Sequence, residues 1–201
     1  MPVIRASDHG VIVVVSGPSG VGKGTIIQKL LTQNTTVKLA ISATTRAPRV
    51  GEVNGVDYYF LPVSEFDQRI ADDQFVEWCE VHGNKYGTLA SEILANTQQG
   101  YDVLLEIDTQ GAKKVRAKLG TVLSIFIAPP SLDELAKRLM SRNTEKEEEI
   151  SRRLSAAKGE LAEVGDYDCV VVNRELEGAV EDVMRRIRDY KLGAVTKVAP
   201  Q

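Results

Sequence analysis

Val11-Ile12-Val13-Val14-Val15-Ser16-Gly17-Pro18-Ser19-Gly20-Val21-Gly22-Lys23-Gly24-Thr25 is the stretch whose reading decides the fold. The apolar, β-branched run from Val11 to Ser16 suits a strand in a parallel sheet covered on both faces. The glycines that follow permit a tight turn whose backbone N–H groups converge on an anion, and a helix is expected from about Thr25 to Gln33. Lys23, at the helix entrance, supplies a cation for the outer phosphates of a nucleoside triphosphate. The strict phosphate-loop pattern has Ser or Thr directly after the lysine. Gly24 stands there instead, so the hydroxyl for a Mg²⁺ ion falls to Thr25. A glycine turn alone is often a mere connection, but here strand, loop and helix come in the required order.

Outward from this stretch the alternation continues. Strands are expected over Tyr101–Asp108, Val122–Ala128 and Cys169–Asn173, and helices over Gln110–Leu119 and Glu177–Tyr190. Such alternation predicts an α/β fold with a parallel sheet flanked by helices. Two segments interrupt it. Residues 37–90 mix short strand patterns, Asp57–Leu61 and Phe75–Val81, with turn residues Pro48, Gly51, Asn54 and Gly55, and predict a small antiparallel insertion. Residues 131–157 carry Ser131 with Glu134 and Thr144 with Glu147 in capping-box spacing, which predicts two helices meeting near Asn143. The Glu147–Glu149 run fits charge favoured near a helix N-terminus.

Composition bounds the function. In 201 residues there are 25 Lys and Arg against 28 Asp and Glu, a net charge of −3, which argues against a sequence-independent grip on nucleic acid. No apolar run approaches the roughly 20 residues that span a bilayer, and no secretory apolar region opens the chain, so a cytoplasmic protein without a membrane partner is expected. Cys79 and Cys169 lie in no metal-ligand cluster and are expected to be buried free thiols. His9 and His82 suggest no nucleophilic triad.

The insertion holds Ser42-Ala43-Thr44-Thr45-Arg46-Ala47-Pro48-Arg49, where Pro48 disfavours regular helix and two guanidinium groups could fork onto a phosphate. Alone this is weak, since paired arginines are usually solvated surface. Downstream come Gly51-Glu52-Val53-Asn54-Gly55-Val56-Asp57-Tyr58-Tyr59-Phe60, Phe75-Val76-Glu77-Trp78, Gly83-Asn84-Lys85-Tyr86-Gly87-Thr88 and Leu104-Leu105-Glu106-Ile107-Asp108-Thr109-Gln110-Gly111. Together with the glycine loop, and with Arg138 to Arg153 and Asn173, these resemble the guanylate kinases over nearly the whole chain, about residues 9–191.

The resemblance implies a P-loop core (1–36, 91–130 and 158–201), a GMP-binding insertion (37–90) and a helical lid (131–157). It implies transfer of the γ-phosphoryl of ATP to GMP, with dGMP as a further expected acceptor. By position, Gly17, Pro18, Ser19, Gly20, Val21, Gly22, Lys23, Gly24, Thr25 and Asn173 would hold ATP, with Mg²⁺ at Thr25. Ser42, Arg46, Arg49, Tyr58 and Tyr86 would hold the GMP phosphate, while Glu77, Thr88 and Asp108 would read guanine. Lys23, Arg138, Arg142 and Arg153 would surround the moving phosphoryl; Arg138 and Arg142, four apart, share a helix face. Glu106 has no assigned role, and Asn143 stands where relatives usually have glycine.

Glu77 also has a physical argument. Alternation along Phe75, Glu77, Cys79 and Val81 places one carboxylate on an otherwise apolar strand face, where a buried charge needs a partner. Guanine N1–H and N2–H donate side by side and match its two acceptors, whereas adenine would leave one oxygen unpaired. Two rivals remain at this stage: a catalytically silent guanylate-kinase-like scaffold that binds phosphorylated protein segments, and a kinase for another acceptor such as a phosphorylated pentose. The complete glycine loop counts against the first and the guanine-reading set against the second.

Overall fold

The computed structural model describes residues 10–81, 83–140 and 147–194. Arg142, Asn143, Thr144, His9 and His82 lie outside them. The described residues fall into two compact units, a first within 10–12, 36–105 and 113–122, and a second within 13–35, 106–112 and 123–194.

A five-stranded sheet runs in the order β2 (Val37–Leu39), β7 (Asp102–Glu106), β1 (Ile12–Ser16), β8 (Leu123–Ala128), β9 (Cys169–Val172). Its β2–β7, β1–β8 and β8–β9 ladders are parallel. Every residue of β1 and β8 is buried, as expected of strands covered on both faces. In the second unit, α1 (Lys23–Gln33) buries Ile26, Ile27 and Leu30, and α7 (Leu176–Lys191) packs on α1, β8 and β9. The buried residues of α7, Ala179, Val180, Val183 and Ile187, recur at helical spacing and form one apolar stripe. Asp168 fixes the entry to β9: its carboxylate accepts from the Ser124 N–H at 2.8 Å and hydroxyl at 2.7 Å. Burial pushes the Cys169 thiol up to about 11, so it is an inert packing group. Cys79 differs from expectation in being only half-buried, because it lies in the outer half of an edge strand.

α5 (Leu132–Met140) and α6 (Glu147–Ala162) supply the two expected helices of the 131–157 segment. Ser131 Oγ accepts from Glu134 N at 3.1 Å, while the Glu134 carboxylate pairs with Lys137 at 2.8 Å rather than turning back on the cap.

The first unit holds a second sheet in the order β4 (Tyr59–Phe60), β3 (Ala43–Thr44), β6 (Asn84–Leu89), β5 (Phe75–Val81). Two of its ladders are antiparallel, as expected, but β3 and β4 pair in parallel. Two helices absent from the sequence reading also appear. α2 (Val63–Ala71) covers one sheet face, stacking Phe66 on Phe75 with centroids 4.3 Å apart over a core completed by Ala43 and Leu89. α3 (Ala90–Thr97) follows β6 directly, and α4 (Thr109–Leu119) follows β7.

Candidate functional site

The loop between β1 and α1 is shaped by two glycines. Gly17 has φ 141°, and a Cβ there would lie 2.2 Å from the Ile127 carbonyl. Gly22 has φ 96°, and a Cβ there would lie 2.7 Å from Asn173 Nδ2. Only glycine fits either position. α1 starts with no side-chain cap and no acid in its first turn, which leaves its N-terminal N–H groups available to an anion. Lys23 Nζ donates to Gly17 O at 2.5 Å and Pro18 O at 3.2 Å, so the ammonium is held against the loop itself.

Three carboxylates act on that ammonium. Burial lowers the Lys23 pKa, opposed by Glu106, Glu160 and Asp108. Burial likewise raises Glu106 and Glu160 despite the pull of Lys23. In each case desolvation outweighs the mutual attraction of the opposite charges. Asn173, 7% exposed, donates from Nδ2 to Val21 O at 2.8 Å; Arg138 reaches the same carbonyl at 3.3 Å and Asn173 O at 2.9 Å. Both residues therefore brace the loop in this conformation. Asp108 caps α4, accepting from Gly111 N at 2.7 Å, and Arg153 is half-buried on α6.

In the first unit Glu77, Thr88, Tyr58, Tyr86 and Arg46 collect on the sheet face away from α2. A bulge falls between Phe75, paired with Leu89, and Glu77, paired with Thr88. Because Thr88 and Leu89 are neighbours on opposite faces, Glu77 faces away from Phe75, and the expected shared apolar face is corrected. Strict alternation fails there because the extra residue resets the phase. Glu77 is 6% exposed and accepts from the Thr88 hydroxyl at 2.9 Å. On the same face Tyr58 packs edge-on to Tyr86 at 6.1 Å, and the Arg46 guanidinium lies 5.5 Å from the Tyr58 centroid. Hydrogen bonding to Glu52 holds the Arg46 pKa above its ordinary value, with a further contribution from Tyr86. Ser42 enters through its backbone, accepting from Tyr59 N at 2.9 Å, and Arg49 is exposed.

Two acids at these sites escaped the sequence reading. Glu52 accepts from Arg46 Nη2 at 2.8 Å and from Arg49 N at 2.7 Å, closing the basic loop on itself. Its place three residues beyond Arg49, across the Gly51 turn, was a legible signal. Glu160, far from Lys23 along the chain, left none.

A parallel sheet whose strand passes through a glycine loop into an uncapped helix defines the P-loop class of nucleotide-binding α/β proteins. The guanylate kinase family model matches residues 9–190. A guanylate kinase of Prochlorococcus marinus subsp. pastoris is 45% identical over 177 residues, spanning 88% of this chain and 96% of the relative. One of Desulfitobacterium hafniense is 49% identical over 174 residues, 87% of each chain. The crystal structure of guanylate kinase from Anaplasma phagocytophilum superposes with a TM-score of 0.72 at 35% identity, covering 92% of this chain and 88% of that one. The chain belongs to the guanylate kinase family.

Proposed function

We propose that the protein transfers the γ-phosphoryl of ATP to GMP, giving ADP and GDP. The observation that carries the choice of acceptor is the buried Glu77 carboxylate beside the Thr88 hydroxyl, on a face that also presents Arg46, Tyr58 and Tyr86. Glu77 would accept from guanine N1–H and N2–H, with Thr88 and Asp108 completing the reading. Arg46 and Arg49, with Ser42, Tyr58 and Tyr86, would hold the phosphate of GMP, Arg46 exchanging Glu52 for phosphate oxygens of the same charge sign.

The donor reading rests on Gly17 to Thr25. Backbone N–H groups at the start of α1 would bind the phosphates of ATP, Lys23 would turn from the loop carbonyls to the transferring group, and Asn173 would meet the adenine. In-line phosphoryl transfer asks little covalent chemistry of a protein; it asks for positioning and for charge around the phosphoryl. Arg138, Arg142 and Arg153 would add that charge, within a lid of residues 131–157 whose closure excludes water. Core 1–36, 91–130 and 158–201 and insertion 37–90 complete the proposed division.

Residues suited to a hard cation are present: Thr25 lies in the first turn of α1 next to Gly24, and Glu106 oxygens lie 3.7 and 3.9 Å from where a Gly24 Cβ would be. Thr25, with Glu106 nearby, would hold Mg²⁺, which supplies charge neutralisation for the β- and γ-phosphates. No helix among the described residues is long and apolar enough to cross a membrane. The test is a coupled assay of ADP formation with GMP, AMP, CMP and UMP offered in turn. ADP release dependent on GMP alone is expected; no release with GMP, or equal release with AMP, would overturn the proposal.

A further inference from the structure

β5 is an edge strand, so among the described residues no neighbouring strand meets its outward carbonyls. Two are taken by α4. Lys114 Nζ donates to Trp78 O at 2.7 Å, with its ammonium 5.7 Å from the indole centroid. Lys118 Nζ donates to Phe75 O at 2.6 Å and to Asp73 Oδ1 at 2.5 Å. Asp73 is the one non-glycine among the described residues with positive φ, 53°, a conformation that persists only where its surroundings hold it.

The gripped carbonyls bracket Glu77. In a regular strand, successive carbonyls point to alternate sides, so residues three apart face opposite ways. The bulge between Phe75 and Glu77 resets the alternation, and both carbonyls are then reached from one helix face. The spacing agrees. Lys114 and Lys118 are separated by about 6 Å of helix rise. Leu89 and Gly87, the partners of Phe75 and Trp78, are about 6.7 Å apart along β6. The same irregularity turns the Glu77 carboxylate toward Thr88.

We propose that Lys114 and Lys118 are positioning residues for base selection: they pin β5 on either side of its bulge and so fix the carboxylate that meets both guanine donors. This rests on the reading of Glu77 as the guanine-reading group. A lysine pair that only protects a sheet edge would affect stability. A positioning pair also sets how sharply the site rejects a base lacking the second donor.

The test replaces each lysine by methionine, Lys114→Met, Lys118→Met and the double variant, retaining the stem and removing the donor. kcat/KM is measured for GMP and for inosine monophosphate, whose base lacks the 2-amino group, alongside KM for ATP and the melting temperature. The GMP-to-IMP ratio should fall about tenfold in the double variant and about threefold in each single one, with KM for ATP within about twofold. Lys→Arg at both positions should restore it. Should the double variant fail to fold, the single variants decide. An unchanged ratio, at any melting temperature, overturns the proposal. Glu77→Gln separates the two layers: if it lowers the ratio while the lysine variants do not, only the clamp is wrong; if it too leaves the ratio unchanged, the guanine reading fails and the clamp with it.

Discussion

Glu77→Gln is the substitution whose effect can be worked furthest from the structure. Its carboxylate is buried and accepts from Thr88 Oγ1 at 2.9 Å, so the change preserves shape and replaces one acceptor by a donor. Guanine presents two parallel donors. Whichever way the substituted amide is turned, one of them meets an N–H. A charge-assisted hydrogen bond worth about 1.5–3 kcal/mol is lost, and a buried donor left unpaired adds about 1–3 kcal/mol. At about 1.4 kcal/mol per tenfold, kcat/KM for GMP should fall roughly 10²- to 10⁴-fold. Steady-state kinetics of ADP formation, varying GMP at saturating ATP and then the reverse, would measure it. KM for ATP should stay within about twofold, since the loop at Gly17–Thr25 is untouched. A loss below threefold, or equal losses for both substrates, would refute base reading by Glu77.

Two further outcomes follow from the phosphate loop. Lys23→Ala should lower kcat by about 10²-fold or more while calorimetry finds GMP affinity nearly unchanged; parent-like turnover would remove Lys23 from the mechanism. Glu106→Gln should raise thermal stability at about pH 8. With its folded pKa above the unfolded one, Glu106 contributes most below the ordinary carboxylate range, and that contribution is lost as pH rises through the raised value. The variant's advantage should therefore disappear in acid, and an advantage of equal size at both ends of a pH series of melting curves would contradict the assignment.

What could be read from residues alone was local. The Val11–Ser16 strand, the loop and its helix share one window in which period, glycine placement and lysine agree. Helix α2 had the pattern of Val63, Phe66 and Ile70 on one face, but the turn residues around it drew the whole segment toward short strands. α3 starts without a break where β6 ends, so no turn residue marks its boundary. The bulge in β5 has no composition signature, and it alone decides which face carries Glu77. Arg46 and Arg49 were legible as a basic loop, whereas their closure by Glu52 depends on a turn conformation. Glu160 beside Lys23, and Lys114 and Lys118 on the β5 carbonyls, are tertiary contacts between residues far apart in the chain. The assignments of Ser42, Tyr58, Tyr86 and Asn173 came from likeness to the family.

The most direct measurement follows ³¹P resonances while the protein turns over ATP and GMP with Mg²⁺. ADP and GDP should grow in equal amounts, with no inorganic phosphate and no loss of ATP when GMP is omitted. Phosphate release in place of GDP would contradict a phosphotransferase whose acceptor is a guanine mononucleotide.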